Sequence, residues 1–269
     1  MKKNKRIGFL LSLVVVITWL LVNCSQEENN TTDQNNDPIL INNKPDTGTM
    51  SDPDGNTYKT ITIGSQTWMK ENLITTKYSD SIAIPKVTDD SVWSTLTTPA
   101  YCWYNNDSVT YKNSCGALYN WYVVSSEKLC PEGWHVPSDN EWIFLENYLI
   151  ACGFNFDGSR TGDRYSNNKI AKSMADTLYW VASSCYGAVG NSDFPDKRNA
   201  TDFSALPGGC RAAFGQFMDF GEWSYWWTST ESEGDYAWFR YLQKDCPNIM
   251  RYNQIDTKNN GFPVRCMKD

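Results

Sequence analysis

Six side chains in the C-terminal part of the chain are candidates for a ligand-binding surface. They are Trp223, Trp226, Trp227, Tyr236, Trp238 and Arg240. Aromatic rings stack on the apolar C–H faces of sugars, and neighbouring polar groups fix the hydroxyls. Successive side chains of a strand point to opposite faces, so we expect one of Trp226 and Trp227 in the core and the other exposed. The pattern favours non-covalent binding of a glycan or another extracellular ligand.

Acidic side chains suggest two other kinds of chemistry. Two loops could supply oxygen ligands to calcium. Their carboxylates belong to Asp193, Asp196, Asp202, Glu231, Glu233 and Asp235. Paired carboxylates could instead hydrolyse a glycan, depending on the distance between them. The candidates for such a pair are Asp219, Glu222 and Glu231. Solvated acidic loops explain the same residues, so we expect no cofactor and leave calcium open.

The chain contains one histidine, His135, and no recognisable serine or cysteine nucleophile motif. A single imidazole argues against a histidine-rich metal site and against mechanisms that need two imidazoles. The formal net charge of −7 at pH 7 argues against a nucleic-acid partner, which needs clustered Lys and Arg. We interpret His135 as a residue packed ahead of a helix, and we expect no catalysis.

The first 24 residues have the organisation of an export signal. Basic residues lie within residues 1–6, and an uncharged apolar run covers residues 7–22. The run is marginal for a membrane-spanning helix, which needs about 20 apolar residues. Its end, Leu21-Val22-Asn23-Cys24, resembles a bacterial lipobox, although Gly, Ala or Ser usually stands in place of Asn23. The resemblance implies a signal peptide over residues 1–24 and a lipid anchor on Cys24 that holds the protein at a membrane.

Residues 25–50 are rich in Asn, Asp, Thr and Gln and poor in apolar side chains. Such a segment buries too little surface to offset its ordering entropy, so we predict a flexible polar tether. Its first residues, Ser25-Gln26-Glu27-Glu28, resemble the acidic tract that sends some Bacteroidota-type lipoproteins to the outer face of the outer membrane. We therefore expect a surface-exposed outer-membrane lipoprotein with one domain over residues 51–269.

Hydrophobic periodicity predicts an α+β domain. Residues 58–63 and 66–69 alternate as two strands joined by a Gly64-Ser65 turn. The clearest helix begins at Ser138, where a capping box with Glu141 precedes an apolar stripe, and it ends before Gly153. A C-terminal hairpin is predicted over residues 225–242. Weaker patterns predict strands at 100–104, 248–253 and 261–267, short helices at 116–124 and 168–175, and a loop at 77–99.

Several motifs occur in order along residues 52–269. They include Gly-Trp-His-Val-Pro-Ser-Asp-Asn-Glu-Trp from Gly133, Trp-Trp-Thr-Ser-Thr-Glu from Trp226 and Gly-Phe-Pro-Val-Arg-Cys from Gly261. Together they resemble the Fibrobacter succinogenes major paralogous domain, a family of bacterial and often lipid-anchored surface proteins without an established activity. The pattern is also similar to C-type-lectin-like domains and the sulfatase-modifying-factor fold. That similarity implies a small twisted antiparallel sheet, one or two main helices and long loops.

The cysteines agree with export. Apart from Cys24 there are eight, an even number that favours disulfides in an exported domain, and no Cys-x-x-Cys pair occurs. The lectin-like similarity implies a disulfide between Cys130 and Cys266. The other six remain unassigned. They are Cys102, Cys115, Cys152, Cys185, Cys210 and Cys246.

Three functions remain open from the sequence. The favoured one is a surface-anchored module that binds a glycan or a cell-surface protein. The second is an extracellular polysaccharide hydrolase with paired carboxylates. The third is a structural or adhesive envelope protein without a small ligand.

Overall fold

The computed structural model describes residues 47–163, 167–253 and 257–269. It is a mixed α+β domain with mostly antiparallel strands and few helices, which confirms the predicted class at that level. The predicted signal peptide, Cys24 and most of the predicted tether lie outside the described residues. In the part of the chain that is described, no helix has the length and apolar character needed to cross a membrane.

The strands of the described ranges form several antiparallel sheets. Their bounds are β1 (Thr49–Ser51), β2 (Thr57–Ile63), β3 (Gln66–Met69), β4 (Tyr101–Trp103), β5 (Ala117–Tyr119), β6 (Trp134–His135), β7 (Gly208–Arg211), β8 (Phe217–Phe220), β9 (Trp223–Glu231), β10 (Ala237–Gln243), β11 (Met250–Tyr252) and β12 (Met267–Lys268). The largest sheet has the order β1-β2-β3-β12-β6, and a second has the order β11-β10-β9. The C-terminal strand therefore lies inside the N-terminal sheet.

The helices are short except for one. Their bounds are α1 (Asp90–Ser94), α2 (Ser108–Cys115), α3 (Trp121–Val124), α4 (Asp139–Ala151) and α5 (Ala171–Met174). Helix α4 is the helix predicted from the capping box. The Ser138 hydroxyl accepts from the Glu141 backbone N–H, and the Glu141 carboxylate accepts from the Ser138 backbone N–H. These bonds satisfy N–H groups that the first turn leaves without helical partners.

Other predictions were wrong because long-range contacts decide the local structure. Residues 117–119 form strand β5 rather than a helix, since the Ala117 and Tyr119 N–H groups donate to the carbonyls of Leu73 and Phe262. The predicted loop over residues 77–99 contains α1, and the fully buried Trp93 anchors it. Residues 49 and 50 of the predicted tether already belong to β1.

The C-terminal segment also differs from its prediction. Residues 261–267 were predicted to form one strand, but of these only Met267 lies in a strand of the structure, β12. Pro263 has no N–H to donate, and its carbonyl instead accepts from Trp227 at 3.2 Å.

Strand β9 is covered on both faces by the core. The Trp227 ring packs against Phe262 at a centroid distance of 4.5 Å, in one hydrophobic cluster. The Trp226 ring packs against Trp142 at 5.7 Å, in a second cluster. The two rings point to opposite faces as predicted, but both are fully buried, so the expectation that one is exposed is wrong.

Candidate functional site

The six residues predicted to bind a ligand do not form one exposed surface. Trp226, Trp227 and Arg240 are fully buried, so a ligand at the surface cannot reach them, and the structure corrects this part of the prediction. Trp223 is half-buried and stacks on Tyr225. The remaining two, Tyr236 and Trp238, are also half-buried. The Trp238 ring lies 3.3 Å from the guanidinium carbon of Arg251, which covers one face of it.

Arg240 belongs to a buried ion network between the second sheet and α4. Its Nη1 lies 2.8 Å from Asp139 Oδ1, and its Nε lies 2.5 Å from Glu146 Oε1. Arg251 adds a contact of 2.7 Å to Asp139 Oδ2. Burial raises the pKa of Glu146. Burial also favours a higher pKa for Asp139, but the hydrogen bonds from Arg251 and Arg240 outweigh burial, and the pKa of Asp139 is lowered. The role of Arg240 in this geometry is structural.

Three of the six carboxylates considered for calcium contact ammonium groups. Asp193 Oδ1 lies 2.5 Å from Lys172 Nζ, and Asp202 Oδ2 lies 2.5 Å from Lys70 Nζ. Glu231 Oε1 likewise lies 2.5 Å from Lys258 Nζ. Within the described ranges, no group of three or more His, Cys, Asp or Glu side chains is placed to hold a metal ion.

The carboxylates considered for hydrolysis lie at opposite ends of β9. Asp219 and Glu222 precede this strand, and Glu231 is its last residue. At the usual rise per residue, Glu222 and Glu231 are separated by roughly 25–30 Å. Glycosidase pairs lie about 5–9.5 Å apart. Glu222 and Glu231 are therefore too far apart to act as such a pair.

A cleft of about 830 Å³ opens between α3, β6 and the C-terminal end of β9. We call it the α3–β6 cleft. Its aromatic lining comes from Trp121, Tyr122 and Trp134. Its polar lining comes from Ser125, Glu127, His135, Ser229, Glu231, Lys258 and Asp269. The lining therefore combines aromatic rings with several hydrogen-bonding groups.

The aromatic side of the cleft is held by backbone contacts. Trp121 is only 6% exposed, and its indole N–H donates to the Thr228 carbonyl at 3.0 Å. Tyr122 follows it on α3, and Trp134 lies on β6, which pairs with β12. Both Tyr122 and Trp134 are half-buried, so part of each ring faces the cleft.

The polar lining of the cleft includes Lys258, whose ammonium contacts the last residue of β9. Lys258 Nζ lies 2.5 Å from Glu231 Oε1 and donates to the Gly234 carbonyl at 2.8 Å. It also lies 5.2 Å from the centroid of the Trp121 ring, within range of a cation–π contact. The Lys258 carbonyl accepts from the Trp121 backbone N–H at 2.7 Å. The aromatic and polar sides are therefore fixed to each other.

His135 lines the same cleft between two carboxylates. Its Nδ1 lies 2.6 Å from Asp269 Oδ1, and its Nε2 lies 3.0 Å from Glu141 Oε1. Its side chain is 37% exposed. His135 lies just ahead of α4 as interpreted, but packing does not enclose it, and part of its side chain is exposed in the cleft.

The disulfide implied by the lectin-like similarity is present. Cys130 and Cys266 are bonded, and Cys130 contributes to the lining of the cleft. The bond ties the segment between α3 and β6 to the segment that enters β12. Cys102, Cys115, Cys185 and Cys246 carry no disulfide.

Sequence reasoning missed Tyr122, Trp134 and Lys258 as cleft residues. The available signal was the position of Trp134, which follows the disulfide residue Cys130 by four positions in the Gly-Trp-His motif. Nothing local marks Lys258, because its place in the cleft depends on contacts with Trp121 and Glu231 that are far away in sequence.

The sequence pattern of the family described as the Fibrobacter succinogenes major domain matches residues 61–268. No curated protein and no solved structure matches the chain. The match begins within β2 and runs to the end of β12, so it includes every helix and strand that lines the α3–β6 cleft. From this match we conclude that the chain belongs to the Fibrobacter succinogenes major domain family.

Proposed function

We propose that the protein is a surface-anchored binding module whose α3–β6 cleft takes carbohydrate without catalysing a reaction. The observation that carries the proposal is the pair of half-buried rings of Tyr122 and Trp134 beside hydrogen-bonding groups. A sugar offers an apolar C–H face to such rings and hydroxyls to such groups. The exposed Ser229 and Glu231 add a hydroxyl and a carboxylate to the lining of the same cleft.

A C-type-lectin-like fold is part of the same proposal. It is supported by one main helix, α4, by antiparallel strands with long connections, and by the disulfide between Cys130 and Cys266. An experimentally determined structure that superimposes on a lectin-like domain over these elements is the expected outcome. A different strand order in such a structure would remove this part of the proposal.

Replacing Trp134 with Ala is expected to weaken oligosaccharide binding about tenfold or more, since one stacking ring is worth about 1.4 kcal/mol. A glycan array identifies the oligosaccharide, and calorimetry in EDTA and in calcium measures its affinity. We expect the same affinity in both solutions, because the proposed contacts need no metal.

The matched control for this prediction is Tyr186→Ala. Tyr186 is 72% exposed and packs on Phe156 and Phe194, away from the cleft lining. We expect its removal to leave affinity unchanged. Melting curves establish that both variants fold. A folded Trp134→Ala variant with wild-type affinity, or an array without any bound glycan, would contradict the carbohydrate proposal.

The membrane anchor is tested separately by Cys24→Ala. We propose that a lipid on Cys24 holds the protein at the outer face of the outer membrane. The variant is then expected to lose fatty-acid labelling and its place in the outer-membrane fraction, because the thiol that would carry the lipid is gone. The control is Cys185→Ala, which removes an exposed thiol. Unchanged fractionation and labelling of Cys24→Ala would refute lipidation.

A further inference from the structure

The charges in the α3–β6 cleft are unevenly available to a ligand. Both basic side chains of the lining, Lys258 and His135, are engaged within the protein, whereas three of its carboxylates are exposed. Lys258 is 8% exposed, and its ammonium is held by Glu231, the Gly234 carbonyl and the Trp121 ring. Little of its charge can therefore reach a ligand.

His135 is engaged in the same way. Both ring nitrogens contact carboxylates, at Asp269 and at Glu141. A neutral imidazole carries a single N–H, so both contacts are hydrogen bonds only when the ring is protonated. Even then, one positive charge faces two carboxylates, and this corner of the cleft remains negative.

The carboxylates are the charged groups that a ligand meets. The side chains of Glu231 and Asp269 are each 59% exposed, and Glu127 is exposed on the α3 side. Only Glu231 has a lysine partner. A carboxylate or sulfate on the ligand would enter this negative field without an unengaged basic side chain in the cleft lining to bind it, whereas an ammonium would find acceptors.

We propose that the cleft selects sugars that carry a protonated amine over neutral sugars, and neutral sugars over acidic ones. This inference rests on the proposed carbohydrate-binding function and adds the chemical class of the ligand. The ammonium of an amino sugar donates to Glu127 or Asp269 while the sugar ring stacks on Tyr122 or Trp134. Uronic acids and sulfated sugars are excluded by repulsion from the same two carboxylates.

The test uses three β-1,4-linked tetrasaccharides that differ mainly in charge. The probes are chitosan tetraose, cellotetraose and tetraglucuronic acid, with affinities measured by calorimetry on the folded domain. We expect chitosan tetraose to bind about tenfold or more tighter than tetraglucuronic acid, with cellotetraose between them. The difference is expected to shrink in 0.5 M salt, where charge interactions are screened.

Two variants assign the selectivity to the cleft. The double substitution Glu127→Gln/Asp269→Asn is expected to bring the three affinities within about threefold of one another. Asp196→Asn changes an exposed carboxylate outside the cleft lining and is expected to leave the order unchanged. Equal affinities in the wild-type protein, tighter binding of the acidic probe, or selectivity that survives the double substitution would each overturn this inference. If no probe and no array glycan binds the folded protein, the carbohydrate function itself fails, and this inference fails with it.

Discussion

Removing the disulfide between Cys130 and Cys266 by a double substitution to Ala is expected to lower the free energy of unfolding by about 5 kcal/mol beyond the cost of the two lost sulfurs. The bonded residues are 136 positions apart, so the bond removes much of the entropy of the unfolded chain. Both residues are buried in the same hydrophobic cluster. Domains of this kind are stable by only about 5–15 kcal/mol, so the variant is expected to be largely unfolded or close to it. Urea denaturation followed by tryptophan fluorescence measures the difference.

The control is Cys115→Ala, which removes a fully buried sulfur that is in no disulfide. The free energy of unfolding that Cys115→Ala loses measures the cost of one small cavity alone, about 1 kcal/mol. The effect of the bond is the excess of the double variant over twice that cost. A double variant that loses no more than about 2 kcal/mol would show that β12 and the cleft are held by packing without the covalent tie.

The cleft could not be predicted from the sequence, because contacts between distant segments form it. Its walls come from α3, β6, the end of β9 and Lys258, which are separated by tens to more than a hundred residues. They are brought together by the pairing of β12 with β6 and by the contact between Trp121 and Lys258. None of these contacts leaves a periodic pattern in the sequence. The disulfide itself was anticipated through a family resemblance, not through spacing.

Local signals predicted local structure well. The capping box of Ser138 and Glu141 and the Gly64-Ser65 turn are read within a few residues, and the structure has α4 and the β2–β3 hairpin there. Helix α2 and strand β5 were not predicted. Gly116, with a φ of +78°, ends α2, and the Ala117 N–H then donates to the carbonyl of Leu73, which is too distant in sequence to leave a local pattern. A positive φ is easy for glycine and ends the helix at that point.

Alternation along β9 gave the correct faces for Trp226 and Trp227 but not their exposure. Whether a face is covered depends on the other elements of the domain. Here α4 supplies Trp142 to one face, and the C-terminal segment supplies Phe262 to the other. The aromatic residues at the centre of this strand therefore serve the core, and Tyr122 and Trp134 are the partly exposed rings of the α3–β6 cleft.

Arg240 was also predicted as a ligand residue, and its burial leads to the second large effect. Arg240→Leu is expected to destabilise the protein by about 3–5 kcal/mol, because removing one partner leaves buried charges without compensation. Glu146 loses the hydrogen bond from Arg240 Nε, and Asp139 keeps only its contacts with Arg251. The free energy of unfolding at pH 7, from urea denaturation, measures the loss.

Two further variants separate loss of charge compensation from loss of packing. Glu146→Gln keeps the volume and an acceptor for Arg240. It also removes a charge that burial disfavours, on a carboxylate whose Oε2 has no hydrogen-bond partner in the described part of the chain. Its effect is expected to stay within about 1 kcal/mol. The double variant Arg240→Leu/Glu146→Leu removes both buried charges and is expected to be more stable than Arg240→Leu alone. If the double variant were instead less stable, the cost of Arg240→Leu would come from packing, and the buried ion pair would not be what joins α4 to β10.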